Sequence, residues 1–288
     1  MNFGRLITAM VTPFDDRLQV DYNKAEYLID YLIEEQQNDS IVVCGTTGEA
    51  PTLTDEEKLN LFELAVKRAN GRCKIIAGTG DNNTAHSIEL TKKAEAIGVD
   101  GILLVTPYYN RPSQEGLYQH FATIAENTAL PVMLYNVPKR TGINLEADTV
   151  IRLSKIKNIT SLKEANSDFA QITKIVSQTR DDFLVYSGDD DITLPMLSVG
   201  GYGVVSVAGH LFGKEIKQMI DAFFNGDVQK ASEWHGKLNP IFKGLFISPN
   251  PVMIKCALNL RGIDVGGVRL PLVKANEDEE RFIKDLLG

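Results

Sequence analysis

Short apolar runs recur along most of the chain and are separated by longer stretches of mixed polarity. Each run is rich in Val, Ile and Leu and does not alternate between apolar and polar positions. Such runs are typical of strands that are buried on both faces, as in a parallel sheet. We therefore predict eight strands, at residues 6–11, 40–43, 74–77, 101–105, 131–135, 159–163, 183–187 and 203–207.

The stretches between these runs carry the period of amphipathic helices. The clearest covers residues 54–69, where Thr54 and Glu57 form a capping-box pair ahead of a helical apolar repeat. Another covers residues 86–97 and is followed by Gly98, a typical helix stop. Eight strand–helix units predict an α/β fold, a (β/α)8 TIM barrel, and a doubly wound sheet with a ninth element is the alternative.

The pattern changes after the eighth run. Residues 212–224, 228–245, 251–260 and 278–287 all have a helical period, with no strand between them. The first of these helices can complete the barrel, and the others predict a C-terminal helical annex. A Ser248-Pro249-Asn250-Pro251 turn divides the annex, with Pro251 expected at a first helical position. We predict a barrel over residues 1–224 and an annex over residues 225–288, without a flexible linker.

Composition narrows the class of protein. A chain of 288 residues has room for one such barrel, which typically takes about 250 residues. The net charge of -8 and the pI near 5.1 argue against a nucleic-acid or anionic-membrane partner. No apolar stretch has the length of a membrane span, and the first residues lack a signal-peptide core. Three cysteines without paired spacing indicate a reducing, cytoplasmic location.

The sequence gives little support for a metal site or a phosphate site. Four scattered histidines offer no ligand pair at helical spacing, so we expect no catalytic metal. The acidic triplet Asp189-Asp190-Asp191 could bind a divalent cation, but it also fits a helix N-terminus, which we favour. Glycines at residues 200–203 could bind a phosphate or permit close packing. We favour packing because no arginine or lysine lies directly beside them.

Lys163 closes the sixth apolar run. The carboxyl ends of barrel strands are where such barrels carry out their chemistry. Packed among apolar neighbours, the amine would lose the water that stabilises its charged form, and its pKa would fall. A neutral amine can attack a carbonyl carbon. A lysine just beyond a strand is usually a surface residue, so the interpretation depends on the other strand ends.

Three other strand ends carry polar or aromatic side chains. The second run is followed by Gly45-Thr46-Thr47-Gly48-Glu49, whose amides and hydroxyls suit a carboxylate ligand, although a plain turn would use the same glycines. The fourth is followed by Thr106-Pro107-Tyr108-Tyr109-Asn110, a loop with two phenols. The fifth ends at Tyr135, and Arg140 lies on the loop beyond it. Each of these motifs is weak by itself.

Together these motifs resemble the pyruvate-dependent class I aldolase superfamily headed by N-acetylneuraminate lyase, and within it the dihydrodipicolinate synthase family. The resemblance covers nearly the whole chain. It rests on residues 45–49, 106–116 (TPYYNRPSQEG), 135–142 (YNVPKRTG), 163–165, 187–190 (SGDD) and 250–251. The resemblance implies the first step unique to bacterial lysine biosynthesis, the condensation of pyruvate with L-aspartate 4-semialdehyde, without a cofactor or a metal.

The resemblance also implies catalytic roles. Lys163 would form a Schiff base with pyruvate, and loss of a methyl proton would give an enamine nucleophile. Tyr135 would be the general acid and base, passing protons through Thr46 to Tyr109. A phenol with a reference pKa near ~10 is a poor base alone, so a relay of hydroxyls is chemically reasonable.

Four further residues would bind substrate in this interpretation. Thr47 would hold the pyruvate carboxylate, with the backbone around Gly188 and Val205 lining the opposite wall. Arg140 would receive the carboxylate of the semialdehyde through a forked pair of hydrogen bonds.

Three alternatives remain. A sugar-acid lyase of the same superfamily would keep Lys163 and Tyr135, but relatives that act on sugars generally lack an arginine at the position of Arg140. A metal-dependent hydrolase would need histidine pairs that the strand ends lack. A non-catalytic sensor on the same barrel would not need lysine, Thr46 and both tyrosines together.

The resemblance finally implies assembly and regulation. In the family, the tyrosine that matches Tyr109 reaches across a dimer interface, so we expect a homodimer, paired into a tetramer. Lysine-sensitive relatives bind the end product with serine, histidines and a glutamate. This chain has Ala50, Asp55, Lys58 and His86 in that region, while Asn82 and Tyr108 are kept. We therefore expect weak or absent feedback by lysine, with Asp55 as the one residue that could compensate.

Overall fold

A computed structural model describes residues 2–288 and confirms the predicted barrel. Eight parallel strands form one closed sheet in sequence order, and the last strand pairs with the first. The strands are β1 (Leu6–Ala9), β2 (Ser40–Val43), β3 (Lys74–Gly78), β4 (Gly101–Val105), β5 (Val132–Asn136), β6 (Ile159–Glu164), β7 (Leu184–Ser187) and β8 (Gly203–Ser206). All eight lie within the predicted runs or extend one residue beyond them.

Helices surround this sheet on its outer face. Within residues 2–288 they are α1 (Tyr22–Glu34), α2 (Asp55–Ala69), α3 (Thr84–Ile97), α4 (Gln114–Ala125), α5 (Pro138–Thr141), α6 (Ala147–Leu153), α7 (Phe169–Gln178), α8 (Thr193–Ser198), α9 (Gly213–Phe224), α10 (Val228–Gly244), α11 (Val252–Leu260) and α12 (Glu277–Leu287).

The helix boundaries follow local signals that the sequence carries. The Thr54 hydroxyl accepts a hydrogen bond from the Glu57 amide, and the Glu57 carboxylate accepts one from the Thr54 amide, so the predicted capping box exists. Gly98 ends α3 in the left-handed conformation, as predicted. One expectation was wrong by a residue: Pro251 lies at the N-cap of α11, and Val252 is the first helical position.

Two layers of apolar side chains build the core. The larger layer lies between the sheet and the helices. The smaller one fills the inside of the barrel with the inward-facing residues of successive strands, because side chains alternate across a strand. It includes Ile7, Val42, Ile76, Leu103, Met133, Tyr186 and Val205. The barrel is therefore packed through its centre, and an open site can form only at its ends.

The annex helices α10 to α12 pack against the barrel rather than standing apart from it. The Phe14 amide donates to the Val265 carbonyl at 3.1 Å, and Asn250 and Lys255 of the annex reach the loop after β2. The division at residues 224 and 225 remains our proposal, since this packing gives no independent boundary. No helix within residues 2–288 is long and apolar enough to cross a membrane.

Candidate active site

Lys163 lies inside the barrel near the carboxyl end of β6. Strand register places it beside Tyr135 of β5 on one side and Tyr186 of β7 on the other. Only 5% of Lys163 is exposed, and its Nζ atom lies 4.1 Å from the centre of the Tyr135 ring. The fold therefore places the Lys163 amine beside the Tyr135 phenol, since the two residues end the fifth and sixth predicted runs and these runs form adjacent strands.

Burial makes the Lys163 amine easier to deprotonate than a free lysine. Burial lowers the pKa of this amine to about 8, while the carboxylates of Asp189 and Asp190 oppose that change. Its amine forms no ion pair or hydrogen bond with any group of residues 2–288. A buried amine with a depressed pKa and no partner can act as a nucleophile near neutral pH.

The pKa of the Tyr135 phenol is raised, whereas that of the Lys163 amine is lowered. Burial raises the pKa of its phenol to about 12, and the nearby charge of Arg140 and a hydrogen bond from Thr46 both act to lower it. The phenol is therefore protonated at neutral pH and can donate a proton. It can accept one only where neighbouring hydroxyls or charges stabilise the phenolate.

The loop after β2 is held in a tight turn. The amides of Gly48 and Glu49 donate to the carbonyls of Gly45 and Thr46, both at 3.1 Å. Thr47 is 2% exposed, and its Oγ1 accepts a hydrogen bond of 2.9 Å from Asn250 Nδ2. Two adjacent threonines thus leave the turn in different directions, since Thr46 acts on Tyr135 and Thr47 contacts the annex.

A cavity of about 560 Å³ opens beside this loop. Thr46, Tyr135 and Arg140 line it, together with residues of the loops after β3 and β4. Arg140 lies on the short helix α5, which the sequence did not predict, and its side chain forms no ion pair within residues 2–288. An unpaired guanidinium in a cavity is suited to binding a carboxylate.

Gly188 and Val205, which were predicted for the opposite wall, are not among the residues that line this cavity. The Gly188 amide donates to the Glu164 carbonyl at 2.7 Å, and a Cβ atom at Gly188 would lie 2.8 Å from the Cβ of Ala165. This close approach explains why the position needs a glycine. Val205 is 1% exposed and belongs to the apolar layer inside the barrel.

Asp190, the middle residue of the acidic triplet, binds backbone amides. Asp190 begins a short 3-10 turn, and its buried carboxylate accepts hydrogen bonds from the amides of Val207 and Ala208, each at 3.0 Å. It also accepts one from the Ser206 hydroxyl. The loop after β7 is thereby fixed to the end of β8. Within residues 2–288 no group of three or more His, Cys, Asp or Glu could hold a metal ion.

Tyr109 is exposed to solvent, unlike the buried residues Lys163, Tyr135 and Thr47. Its side chain is 91% exposed, and its backbone adopts a left-handed conformation with φ of 70°. It does not line the cavity, whereas its neighbour Tyr108 does. Among residues 2–288, Tyr109 therefore does not share the cavity that Thr46 and Tyr135 line.

Sequence reasoning missed Glu164, which directly follows Lys163 and faces outward from the barrel. Its carboxylate accepts hydrogen bonds from Asn136 Nδ2 at 2.9 and 3.0 Å and from the Asn166 amide at 2.9 Å. Burial raises the pKa of Glu164 to about 8, against these hydrogen bonds. The network ties β5 to β6 beside Tyr135 and Lys163. Because successive side chains of a strand point to opposite faces, an inward Lys163 predicts an outward Glu164. The same pattern does not predict the hydrogen-bond partners of Glu164.

A charged cluster lies at the far side of the cavity. The His86 ring lies between two carboxylates, with Nε2 2.8 Å from Asp55 and Nδ1 2.9 Å from Asp81. The hydrogen bond to Asp55, followed by that to Asp81, raises the pKa of His86 against partial burial. Lys58 Nζ lies 3.5 Å from the same Asp55 carboxylate. Asp55 is thus already engaged by two neighbouring side chains.

Comparison with known proteins identifies the family to which this chain belongs. The family model of the dihydrodipicolinate synthetase family matches residues 2–288. A 4-hydroxy-tetrahydrodipicolinate synthase of Bacillus velezensis is 57% identical over 288 residues, which is 100% of this chain and 99% of that protein. The Bacillus subtilis protein of the same name is 59% identical over 289 residues, with the same coverage of both chains.

Solved structures agree with these relatives. A dihydrodipicolinate synthase of Bacillus anthracis has a TM-score of 0.97 and 50% identity, covering 100% of this chain and 98% of its own. The enzyme of Cyanidioschyzon merolae, solved with lysine bound, has a TM-score of 0.97 and 46% identity, covering 99% and 97%.

Proposed function

Because the chain belongs to the dihydrodipicolinate synthetase family, we propose that it is a 4-hydroxy-tetrahydrodipicolinate synthase, condensing pyruvate with L-aspartate 4-semialdehyde. The observation that carries this proposal is the buried, unpaired amine of Lys163 beside the phenol of Tyr135. The product serves lysine and diaminopimelate biosynthesis. We further propose a cytoplasmic location, which fits the cysteine usage.

The first half of the reaction forms the nucleophile. The neutral Lys163 amine attacks the keto carbon of pyruvate, and loss of water leaves a protonated imine. This imine withdraws electrons, so that a proton leaves the pyruvate methyl group and an enamine results. The imine itself is the electron sink, and the reaction therefore needs neither a metal nor a cofactor.

Tyr135 donates and accepts the protons of these steps. Its raised pKa keeps the phenol protonated at neutral pH, so that a proton is present for the release of water from the carbinolamine. The phenolate that results regains a proton from Tyr109 through the Thr46 hydroxyl.

We assign Tyr109 to the relay of a neighbouring copy, because it is exposed and, unlike Thr46 and Tyr135, does not line the cavity of its own chain. This makes the active unit at least a homodimer, which we expect to pair into a tetramer. Sedimentation at assay concentration tests the assembly, and a fully active monomer would contradict it.

The carboxylates of the two substrates are held separately. Thr47 binds the pyruvate carboxylate, with the backbone at Gly188 and Val205 as the opposite wall. Arg140 binds the carboxylate of the semialdehyde, which suits its position in the cavity without an ion-pair partner. The enamine attacks the aldehyde carbon, the C=O π bond opens, and the aldehyde oxygen takes up a proton to become a hydroxyl. The substrate amine then displaces Lys163 by attack on the imine, closing the ring and freeing the enzyme.

Borohydride reduction in the presence of pyruvate, followed by mass spectrometry, tests the chemistry. We expect the reduced adduct on the peptide that contains Lys163. Absence of the adduct from active enzyme would contradict the Schiff base.

Arg140→Ala separates the two substrate sites. We expect the pyruvate adduct to remain, while the KM for the semialdehyde rises by about tenfold or more, since a charge-assisted pair contributes about 1.5–3 kcal/mol. Loss of the adduct would place Arg140 in the pyruvate site or in the fold. Sugar-acid cleavage by the purified enzyme would instead favour a lyase.

A further inference from the structure

One of the annex side chains that reach the loop after β2 is Asn250, and it contacts Thr47. Asn250 lies in the turn between α10 and α11 and is 6% exposed. Its Nδ2 atom donates to Thr47 Oγ1 at 2.9 Å, across 203 positions of the sequence. Its Oδ1 atom is buried without a hydrogen-bond partner among residues 2–288. A buried unpaired oxygen costs free energy, so packing alone would be served better by an apolar side chain.

The contact with Asn250 restricts what the Thr47 hydroxyl can do. A hydroxyl carries one hydrogen and two acceptor positions. Since the amide donates to the oxygen, the hydrogen of Thr47 must point to another group. Within residues 2–288 this hydroxyl donates to none. Thr47 is therefore a buried hydroxyl whose donor remains available to a ligand.

The backbone of the loop is fixed by other contacts. Glu49 Oε1 lies 2.7 Å from the buried ammonium of Lys255, and Glu49 Oε2 accepts from the Arg269 amide at 2.9 Å. The Gly48 carbonyl accepts from the Thr12 hydroxyl at 2.6 Å. These contacts remain when the Asn250 amide is removed. A change at Asn250 should therefore act on the Thr47 hydroxyl and leave the path of the loop in place.

We propose that Asn250 is a positioning residue that directs the Thr47 hydroxyl hydrogen toward the pyruvate carboxylate. The role rests on the proposed function, in which Thr47 binds that carboxylate. By donating to one acceptor position of the Thr47 oxygen, the amide fixes the rotation of the hydroxyl so that its hydrogen points away from Asn250. The annex thereby contributes to the affinity of the barrel for its first substrate.

Asn250→Ala and Asn250→Asp test the direction of the hydrogen bond. Asn250→Ala lets the hydroxyl rotate, and we expect the KM for pyruvate to rise by about tenfold with little change in the KM for the semialdehyde. Asn250→Asp replaces the donor by an acceptor that takes the Thr47 hydrogen and repels the substrate carboxylate. We expect a rise of about a hundredfold in that variant. Equal effects of the two substitutions would overturn the proposed direction.

A double-mutant cycle with Thr47→Val isolates the coupling. Thr47→Val removes the hydroxyl that Asn250 is proposed to direct. In that background Asn250→Ala should leave the KM for pyruvate within about twofold, because no hydroxyl remains to be positioned. If the effects of Thr47→Val and Asn250→Ala on the KM for pyruvate simply multiply, the proposal is overturned. The cycle tests the proposal even if the Asn250→Asp variant does not fold.

A matched control separates positioning from stability. Asn158 donates its amide to the carbonyls of Ala125 and Thr128, at the amino end of β6, away from the cavity. Asn158→Ala should lower the melting temperature and leave both KM values unchanged. If Asn250→Ala behaves in the same way, its role is structural and the proposal fails.

Borohydride trapping at saturating pyruvate distinguishes a failure of the proposed function from a failure of the proposed role of Asn250. We expect the Lys163 adduct in the wild-type enzyme and in every Asn250 variant. A missing adduct in the active wild-type enzyme would refute the proposed function. A normal adduct with an unaltered KM for pyruvate in Asn250→Ala would refute only the role of Asn250.

Discussion

Two lysines are buried within residues 2–288, and they have opposite surroundings. Lys163 is 5% exposed inside the barrel, and Lys255 of the annex helix α11 is 2% exposed. Burial lowers the pKa of both amines. Lys163 contacts the face of the Tyr135 ring and has no anionic partner within hydrogen-bonding distance, whereas Lys255 lies 2.7 Å from Glu49 Oε1 and donates to the Gly267 carbonyl at 2.7 Å.

The difference shows that a depressed pKa does not by itself identify a nucleophile. Lys255 cannot approach a substrate carbonyl because the ion pair with Glu49 and the hydrogen bond to the Gly267 carbonyl hold its ammonium, and the centre of the Phe14 ring lies 4.1 Å from its Nζ. Lys163 is buried without such commitments. The buried charge that is paired stabilises a particular packing, and the one left unpaired is available for chemistry.

The largest effect should come from removing the unpaired amine. Lys163→Arg keeps a positive charge, but a guanidinium stays protonated and cannot form the imine. We expect turnover to fall by several orders of magnitude and the borohydride adduct to disappear. Coupled-assay kinetics and mass spectrometry measure both. Near-normal activity in the purified variant would contradict the assignment of Lys163.

Replacing the paired lysine, Lys255, should lower the free energy of unfolding and should not abolish imine formation. Lys255→Met leaves Glu49 buried without its partner, and breaking such a pair costs about 3–5 kcal/mol of unfolding free energy. Denaturant unfolding measures this loss. The double variant Lys255→Met with Glu49→Gln is the matched control, and it should recover most of the stability. If Lys255→Met abolished the pyruvate adduct in folded protein, the two lysines would not differ as we propose.

The third prediction concerns the pH dependence of imine formation. Because the pKa of Lys163 is lowered to about 8, its neutral fraction should rise about tenfold per pH unit below that value and level off above it. Stopped-flow measurement of pyruvate adduct formation between about pH 6 and 9 follows this rise.

Glu164 provides the control for that profile. Burial also raises the pKa of its carboxyl to about 8, so its titration falls in the same pH range. Glu164→Gln removes that titration and should leave the midpoint in place. A midpoint that disappears with Glu164 would assign the profile to the carboxyl rather than to the amine.

The smallest effect should be inhibition by lysine. An ammonium ion that enters the cavity would need a free carboxylate, but His86 and Lys58 already engage Asp55. Displacing such partners offsets the gain from a new ion pair. We expect less than half inhibition at about 1 mM lysine. A coupled assay with added lysine checks this, and strong inhibition at lower concentrations would show that the cluster rearranges.

Local patterns were sufficient to predict most of the fold. Apolar runs located all eight strands, and the capping box at Thr54 and the stop at Gly98 located helix ends, because these signals depend on neighbouring residues. Strand order followed from the alternation of strands and helices. The short helix that carries Arg140 was missed, since four residues give too little periodicity to detect.

The sequence by itself determined which side chains stand at the strand ends, and among them Lys163, Tyr135, Thr46 and Thr47. Only the tertiary structure decided which of them have partners. The contacts of Thr47 with Asn250 and of Glu49 with Lys255 join residues about 200 positions apart, and no local period encodes such pairs. Likewise, the exposure of Tyr109 depends on how its loop packs. Burial and pairing arise when distant segments meet, and they separate the reactive lysine from the structural one.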